Sequence, residues 1–348
     1  MSRLGRARET ALGHFATVTG YARGALRPHP VPASERVELA IEDPSIGALT
    51  LVGELSNPEA ETLVVIVHGL GGNVTSTYAL RAAQAAVDAG FAALRIHMRG
   101  AIGDGADLYH AGLGGDLAQV TRAPALARYR HIAILGYSMG GHISLRHAAD
   151  GPHDPRLACV LAVCPPVDLD RGTLAIQRVD RRPYQEFILR FLRQQLLEVR
   201  SKHPDRVSAI DTHFIRTIRD WDQHVICPRF GFPHLSAYYD GESVGPRLAQ
   251  VSVPTLVVVA DRDPMIALDT VEPWIARVSD AVTVVRKRRG GHVAFPPDVG
   301  LLQERGAPME RELMAWISAG VVRVRGPDTI LSAASGGTPA EIASITER

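Results

Sequence analysis

The segment Gly136-Tyr137-Ser138-Met139-Gly140 follows the apolar run His131-Ile132-Ala133-Ile134-Leu135. A strand passing through such a segment into a helix lifts the serine hydroxyl onto a sharp turn, where it can attack a carbonyl carbon. Glycines are needed two positions either side because strand and helix pass close together and leave no room for a side chain. A serine hydroxyl is a weak nucleophile at neutral pH and needs an imidazole to take its proton. Of the 14 histidines, His292 is the candidate, because it follows the apolar run ending near Val285 and the flexible Gly290-Gly291 pair. The carboxylate that orients this imidazole is expected after the preceding run, Pro254 to Ala260, where Asp261 and Asp263 compete. Asp263, fixed by Pro264, is preferred, and Asp261 is expected to shape the turn or pair with Arg262. The carboxylate would hold the imidazole tautomer and stabilise the imidazolium without taking the proton.

Acyl transfer also creates a negative oxygen that preorganised donors must meet. The main-chain N–H of Met139, next to the nucleophile, is one expected donor. The N–H of Leu70 is the other, in His68-Gly69-Leu70-Gly71-Gly72 after the run Val64 to Val67. His68 is expected to brace that loop. No cofactor is expected, since neither this segment nor Gly112-Leu113-Gly114-Gly115 completes Gly-x-Gly-x-x-Gly, and no Gly-Lys-Ser/Thr ending follows. No metal is expected either: His142 and His147 are not on one helix face, and His-Glu-x-x-His does not occur.

Positioning these groups requires a sheet. Val37 to Ile41 and Leu49 to Leu55 read as an opening hairpin. Thr62 to Val67, Phe91 to Ile96, His131 to Leu135, Leu157 to Val163, Pro254 to Ala260 and Ala281 to Val285 are near-continuous apolar runs. Such runs suit strands covered on both faces, hence a mostly parallel sheet. The connections read as helices, with Thr77 to Ala89 stopping at Gly90 and Met309 to Ser318 stopping before Gly320. This alternation predicts a doubly wound α/β core. The division expected is an N-terminal extension over 1–35, a core from 36–164 and 253–322, a helical cap insertion over 165–252, and a flexible tail over 323–348. In the cap, Tyr184, Phe187, Ile188, Phe191 and Leu192 recur at helical spacing with Arg190 and Arg193 opposite. The cap is expected over the active site, because ligands of open α/β sheets sit at the carboxyl ends of the strands.

The chain has 348 residues, 46% of them hydrophobic, which is enough to bury a large core. Its 38 basic and 37 acidic residues leave a net charge of +1, which argues against nucleic acid as a partner. The basic run Arg286-Lys287-Arg288-Arg289 reads as a solvated strand end, with attraction of anionic head groups as the alternative. Three cysteines without metal-ligand spacing point to a reducing, cytoplasmic setting, with Cys159 and Cys164 packing in the interior. No run reaches the length of a membrane span, which leaves a peripheral membrane contact open. The sequence does not define the oligomeric state.

The order Ser138, Asp263, His292 is that of α/β-hydrolases and differs from the chymotrypsin and subtilisin orders. Several local segments, spread over roughly residues 12 to 320, also resemble the YheT-like branch of that superfamily. Gly13-His14-Phe15 with Thr17 resembles its N-terminal segment, and His68-Gly69-Leu70 its oxyanion loop. Arg99-Gly100, Tyr109-His110-Ala111-Gly112 and Asp116-Leu117 resemble its post-strand loop. Tyr184, Asp220-Trp221-Asp222, Pro228, Gly231-Phe232 and Tyr238-Tyr239 resemble its cap, and Gly290-Gly291-His292-Val293 its histidine loop. The resemblance implies a serine hydrolase of carboxylic esters with Ser138, Asp263 and His292 as triad. Some relatives would act on phospholipids or transfer acyl groups to alcohols. Small-molecule or lipid esters of short to medium acyl chains are the expected substrates.

Overall fold

The computed structural model describes residues 13–15, 17, 31–101, 106–207, 212–296, 300–302 and 306–324. Most of the expected N-terminal extension and nearly all of the expected tail lie outside them.

Among the described residues, eight strands form one sheet in the order β1-β2-β4-β3-β5-β6-β7-β8. They are β1 Glu35–Asp43, β2 Gly47–Ser56, β3 Thr62–Val67, β4 Ala92–His97, β5 His131–Tyr137, β6 Leu157–Val163, β7 Thr255–Ala260 and β8 Val282–Lys287. The hairpin β1-β2 pairs antiparallel and joins the sheet antiparallel through β4; every other pairing is parallel. Their burial follows this difference. In β1 every second side chain from Leu39 to Ile41 is buried, as in a strand with one wet face, whereas β3, β6 and β7 are buried throughout.

Helices cover both faces. On one, Val64, Ile66, Leu135 and Leu161 pack against α1 (Thr77–Asp88) and the C-terminal helix Met309–Val324. The α1 contacts are Ala79, Ala82, Ala83 and Ala86, whose small side chains let that helix lie close to the sheet. On the other face, Val65, Val67, Ile134 and Val257 pack against α2 (Gly114–Thr121), α3 (Met139–Asp150) and a segment around Leu248. The C-terminal helix runs through Gly320 instead of stopping before it. Ile317 and Val321 are buried either side of that glycine. Burying such side chains gains about 1.5–3 kcal/mol each, more than the roughly 1 kcal/mol a helical glycine costs.

Between β6 and β7 the chain is helical: α4 (Leu169–Ile176), α5 (Arg182–Lys202), α6 (Ile218–Trp221) and α7 (Leu235–Glu242) share a hydrophobic cluster of their own. The buried stripe of α5 is Ile188, Leu189, Leu192, Leu196 and Val199. Phe187, expected on that stripe, is instead 43% exposed and meets Phe191 edge-to-face. Leu108 and Ala111 of the core belong to this helical cluster, and Leu70, Met139 and Met265 pack against it. The insertion is also tied to the core by a buried ion pair, in which the Arg229 guanidinium donates to both carboxylate oxygens of Asp107 at 2.9 and 2.7 Å. Arg99 holds the same loop system by binding Asp116 through two bonds of 2.8 and 2.6 Å.

Candidate active site

Ser138 follows β5 and starts α3 with φ 53° and ψ −120°, a conformation that costs free energy in an L-residue and persists only where the surroundings enforce it. The glycines provide the space. A Cβ on Gly136 would lie 2.3 Å from the Gly140 carbonyl oxygen, and one on Gly140 would lie 2.4 Å from the carbonyl oxygens of Val67 and His68. Any side chain at either position would push β5, the β3 loop and α3 apart.

Main-chain hydrogen bonds align the next strand ends with this turn. Ser138 N–H donates to Val163 at 2.9 Å, Cys164 N–H to Val258 at 2.8 Å, and Asp261 N–H to Lys287 at 2.9 Å. Ser138, Cys164, Asp263 and His292 therefore stand on loops at one carboxyl edge, after β5, β6, β7 and β8. The Asp263 carboxylate is fully committed: Oδ1 accepts from the N–H groups of Met265 (2.8 Å) and Ile266 (2.9 Å), and Oδ2 faces His292 Nδ1 at 2.8 Å. Since the carboxylate can only accept, Nδ1 carries the proton and the Nε2 lone pair is left free. Both side chains are buried. Asp261 does not pair with Arg262 as expected; it accepts from Arg286 at 2.6 Å, and Arg286 also reaches Glu272 at 2.7 Å. One cation of the basic run is thereby neutralised.

The loop after β3 presses on Ser138, with a Cβ on Gly69 falling 3.0 Å from Ser138 Cβ. Its conformation is held on several sides. Gly69 N–H donates to Tyr78 Oη (3.0 Å), Gly72 N–H to the Gly69 carbonyl (2.9 Å), and Tyr109 Oη to the His68 carbonyl (2.8 Å). His68 faces the Gly69 carbonyl through Nδ1 at 2.8 Å and accepts from Met98 N–H at Nε2 (3.2 Å), so the neutral ring with its proton on Nδ1 fits both. Burial pushes its pKa down to about 4. Met139 N–H belongs to the first turn of α3, where no intrahelical acceptor exists. Leu70 and Met139 line a cavity of about 40 Å³ beneath the helical insertion.

Sequence reasoning did not find two neighbours of this site. Cys164 was expected only to pack, yet its sulfur and the ligating atoms of Asp263 and His292 lie within 4.8 Å of one another. Burial, reinforced by the Asp263 charge, pushes the Cys164 thiol well above its ordinary value, so the sulfur is a neutral S–H and a poor metal ligand. Thr17 Oγ1 accepts from the His292 main-chain N–H, and nothing in the local sequence of either residue signals that pairing.

A mostly parallel sheet with a serine at a strained strand-to-helix turn, and a histidine–aspartate pair at the same edge, defines the α/β-hydrolase class. The chain belongs to the alpha/beta hydrolase family, whose model matches residues 19–300. It is YheT-like within it, being 26% identical to YheT of Escherichia coli (strain K12) over 239 residues, 67% of this chain and 70% of that one. It is also similar to the monoacylglycerol lipase of Saccharomyces cerevisiae, 24% identical over 70% of this chain but only 57% of the lipase. Among solved structures, the 2,6-dihydroxy-pseudo-oxynicotine hydrolase superposes with a TM-score of 0.56 at 18% identity, covering 88% of this chain and 72% of that one. The Pyrococcus furiosus esterase Pf2001 superposes with a TM-score of 0.51 at 14% identity, covering 83% and 93%. These superpositions show the shared fold. Carboxylic ester hydrolysis is the general chemistry that family and relatives support. Among the described residues, no helix is long and apolar enough to cross a membrane.

Proposed function

We propose that this chain hydrolyses carboxylic esters through an acyl-enzyme on Ser138, with His292 as base and Asp263 as its orienting acid. The observation that carries the reading is the His292 Nδ1 to Asp263 Oδ2 contact of 2.8 Å, which turns Nε2 into a proton acceptor at the edge where Ser138 stands. Ser138 Oγ attacks the carbonyl carbon while its proton passes to His292 Nε2. The N–H groups of Leu70 and Met139 meet the oxyanion. Collapse expels the alcohol, which takes the proton from His292. Water, deprotonated by the same imidazole, then releases the acid and restores the serine.

We read residues 165–252 as the cap of this enzyme, supported by the packing of Leu70 and Met139 into its cluster. The apolar side chains Leu70, Met139, Leu169 and Leu192 around the cavity there support esters of short to medium acyl chains as substrates. Three free, buried cysteines suit a cytoplasmic setting.

The test uses p-nitrophenyl butyrate and a fluorophosphonate probe. Wild-type protein is expected to turn over the ester and to be labelled, and Ser138→Ala to do neither. A Ser138→Ala protein that kept both would end this reading. Product analysis with added alcohol separates hydrolysis, which yields the acid throughout, from acyl transfer, which diverts it into a new ester.

A further inference from the structure

The cap holds a constellation that the triad does not use. In Asp220-Trp221-Asp222, the first acid is occupied by the backbone. Thr217 Oγ1 accepts from Asp220 N–H at 3.0 Å, while Asp220 Oδ2 accepts from Thr217 N–H at 2.8 Å, closing a reciprocal cap at the start of α6. The backbone then changes from α6 to a π-helical turn over Asp222–Ile226, a local irregularity that recurs at functional sites.

Trp221 and Asp222 line the 40 Å³ cavity together with Leu70, Met139, His110 and Tyr238. Trp221 is 1% exposed, and its indole N–H has no acceptor among the described residues. A buried donor left unpaired costs about 1–3 kcal/mol, which a phenylalanine would avoid. Beside it, Asp222 is also buried. Its Oδ2 accepts from Tyr239 Oη at 2.8 Å, and Oδ1 takes no hydrogen bond among the described residues. Burial raises this carboxyl to about 7, against the pull of Tyr239 and Arg219, so it exchanges between the acid and the carboxylate around neutral pH. His110, pushed down to about 3 by burial, adds no charge. A donor and an acceptor side by side in a buried pocket match a group that both accepts and donates one hydrogen bond. Two of the lining residues adjoin the chemistry in the chain: Met139 follows Ser138, and Leu70 follows the glycine pressed against it.

We propose that Trp221 and Asp222 form a hydroxyl-binding subsite that selects esters bearing a free hydroxyl within a few bonds of the scissile carbonyl. The indole N–H donates to the hydroxyl oxygen, and Asp222 Oδ1 accepts the hydroxyl proton. The volume admits a hydroxymethyl-sized group, since about 10–15 Å³ of such space already holds one water molecule. This proposal rests on the ester-hydrolase reading of Ser138.

Two ester pairs that exchange hydroxyl for methyl test it: 2-hydroxyethyl butyrate against propyl butyrate on the alcohol side, and ethyl 3-hydroxybutyrate against ethyl 3-methylbutyrate on the acyl side. The wild-type kcat/KM is expected to favour the hydroxylated member of one pair by about tenfold or more, since a site that pairs with a hydroxyl rejects the analogue lacking it. Trp221→Phe and Asp222→Leu are each expected to bring that ratio close to one. The ratio compares two esters on one preparation, so partial loss of folded protein lowers both alike. p-Nitrophenyl butyrate is measured alongside. Turnover of it without discrimination in either pair, or a preference that persists in either variant, overturns the subsite alone and leaves water as the partner of Trp221. Failure of the wild-type protein to hydrolyse any of these esters overturns the ester-hydrolase reading and the subsite with it.

Discussion

Thr17 Oγ1 accepts a hydrogen bond of 2.8 Å from the main-chain N–H of His292, across 275 positions of sequence. The same hydroxyl donates to the Gly13 carbonyl at 3.0 Å. The short N-terminal segment thus straps the loop that carries the imidazole, and His14, stacked on Tyr184 with Nδ1 2.9 Å from its hydroxyl, ties that strap to α5 of the helical insertion.

Replacing Thr17 by valine keeps its shape and leaves the His292 N–H without its acceptor, a loss of about 1–3 kcal/mol. We expect kcat for p-nitrophenyl butyrate to fall about tenfold or more with little change in KM, and Thr17→Ser to restore it. Equal losses in kcat and KM across both variants would contradict a positioning role.

Asp263→Asn preserves size but can present an N–H to His292 Nδ1, favouring the wrong imidazole tautomer. A fall in kcat of about 10³–10⁴ is expected, as for the equivalent change in other serine hydrolases. Asp261→Asn, which disturbs only the pair with Arg286, is expected to stay within a few-fold of wild type. The reverse ranking would transfer the orienting role to Asp261.

Asp107 is fully buried and bound at both oxygens by Arg229. Arg229→Met removes the paired cation and leaves the carboxylate with Arg99 at 3.8 Å and the Leu108 N–H at 2.9 Å, at a cost of about 3–5 kcal/mol. Denaturant titration should show this loss, and the double variant with Asp107→Leu should regain a large part of it. No regain would mean that the two side chains act independently.

His68 titrates at about 4 when folded, against an ordinary 6.5, because burial disfavours its charged form. Its ring faces the Gly69 carbonyl and Met98 N–H, with the Tyr109 ring 5.4 Å away and His97 adding a further downward push. Between these pH values the unfolded chain binds the extra proton, so stability is lost as the pH falls through the window from 6.5 toward 4. His68→Gln should reduce this part of the slope in a plot of melting temperature against pH, with His110, His142 and His147, also lowered by burial, supplying the remainder. An unchanged acid slope would place the proton uptake on other groups.

Strand positions were legible because each near-continuous run of Val, Ile, Leu and Ala reports a segment covered on both faces, as in β3, β6 and β7. Helix ends were less so. Gly320 reads locally as a stop, but burial of Val321 against the sheet outweighs its backbone cost. On α5 the helical period was visible, yet periodicity does not say which neighbouring side of the stripe meets the cluster, and Phe187 was misplaced for that reason.

What the amino-acid order determined by itself was the turn at Ser138, since Gly136 and Gly140 act on atoms a few residues away through steric contact alone. Tertiary structure decided the rest of the site. Arg286 rather than Arg262 holds Asp261, Asp263 meets His292, Thr17 anchors the histidine loop, and Trp221 with Asp222 lines the cavity by the loop after β3. Each of these pairs joins segments separated by tens to hundreds of residues. Such contacts depend on how whole strands and helices pack; local patterns named Asp263 and His292 as candidates, but packing sets the distance between them.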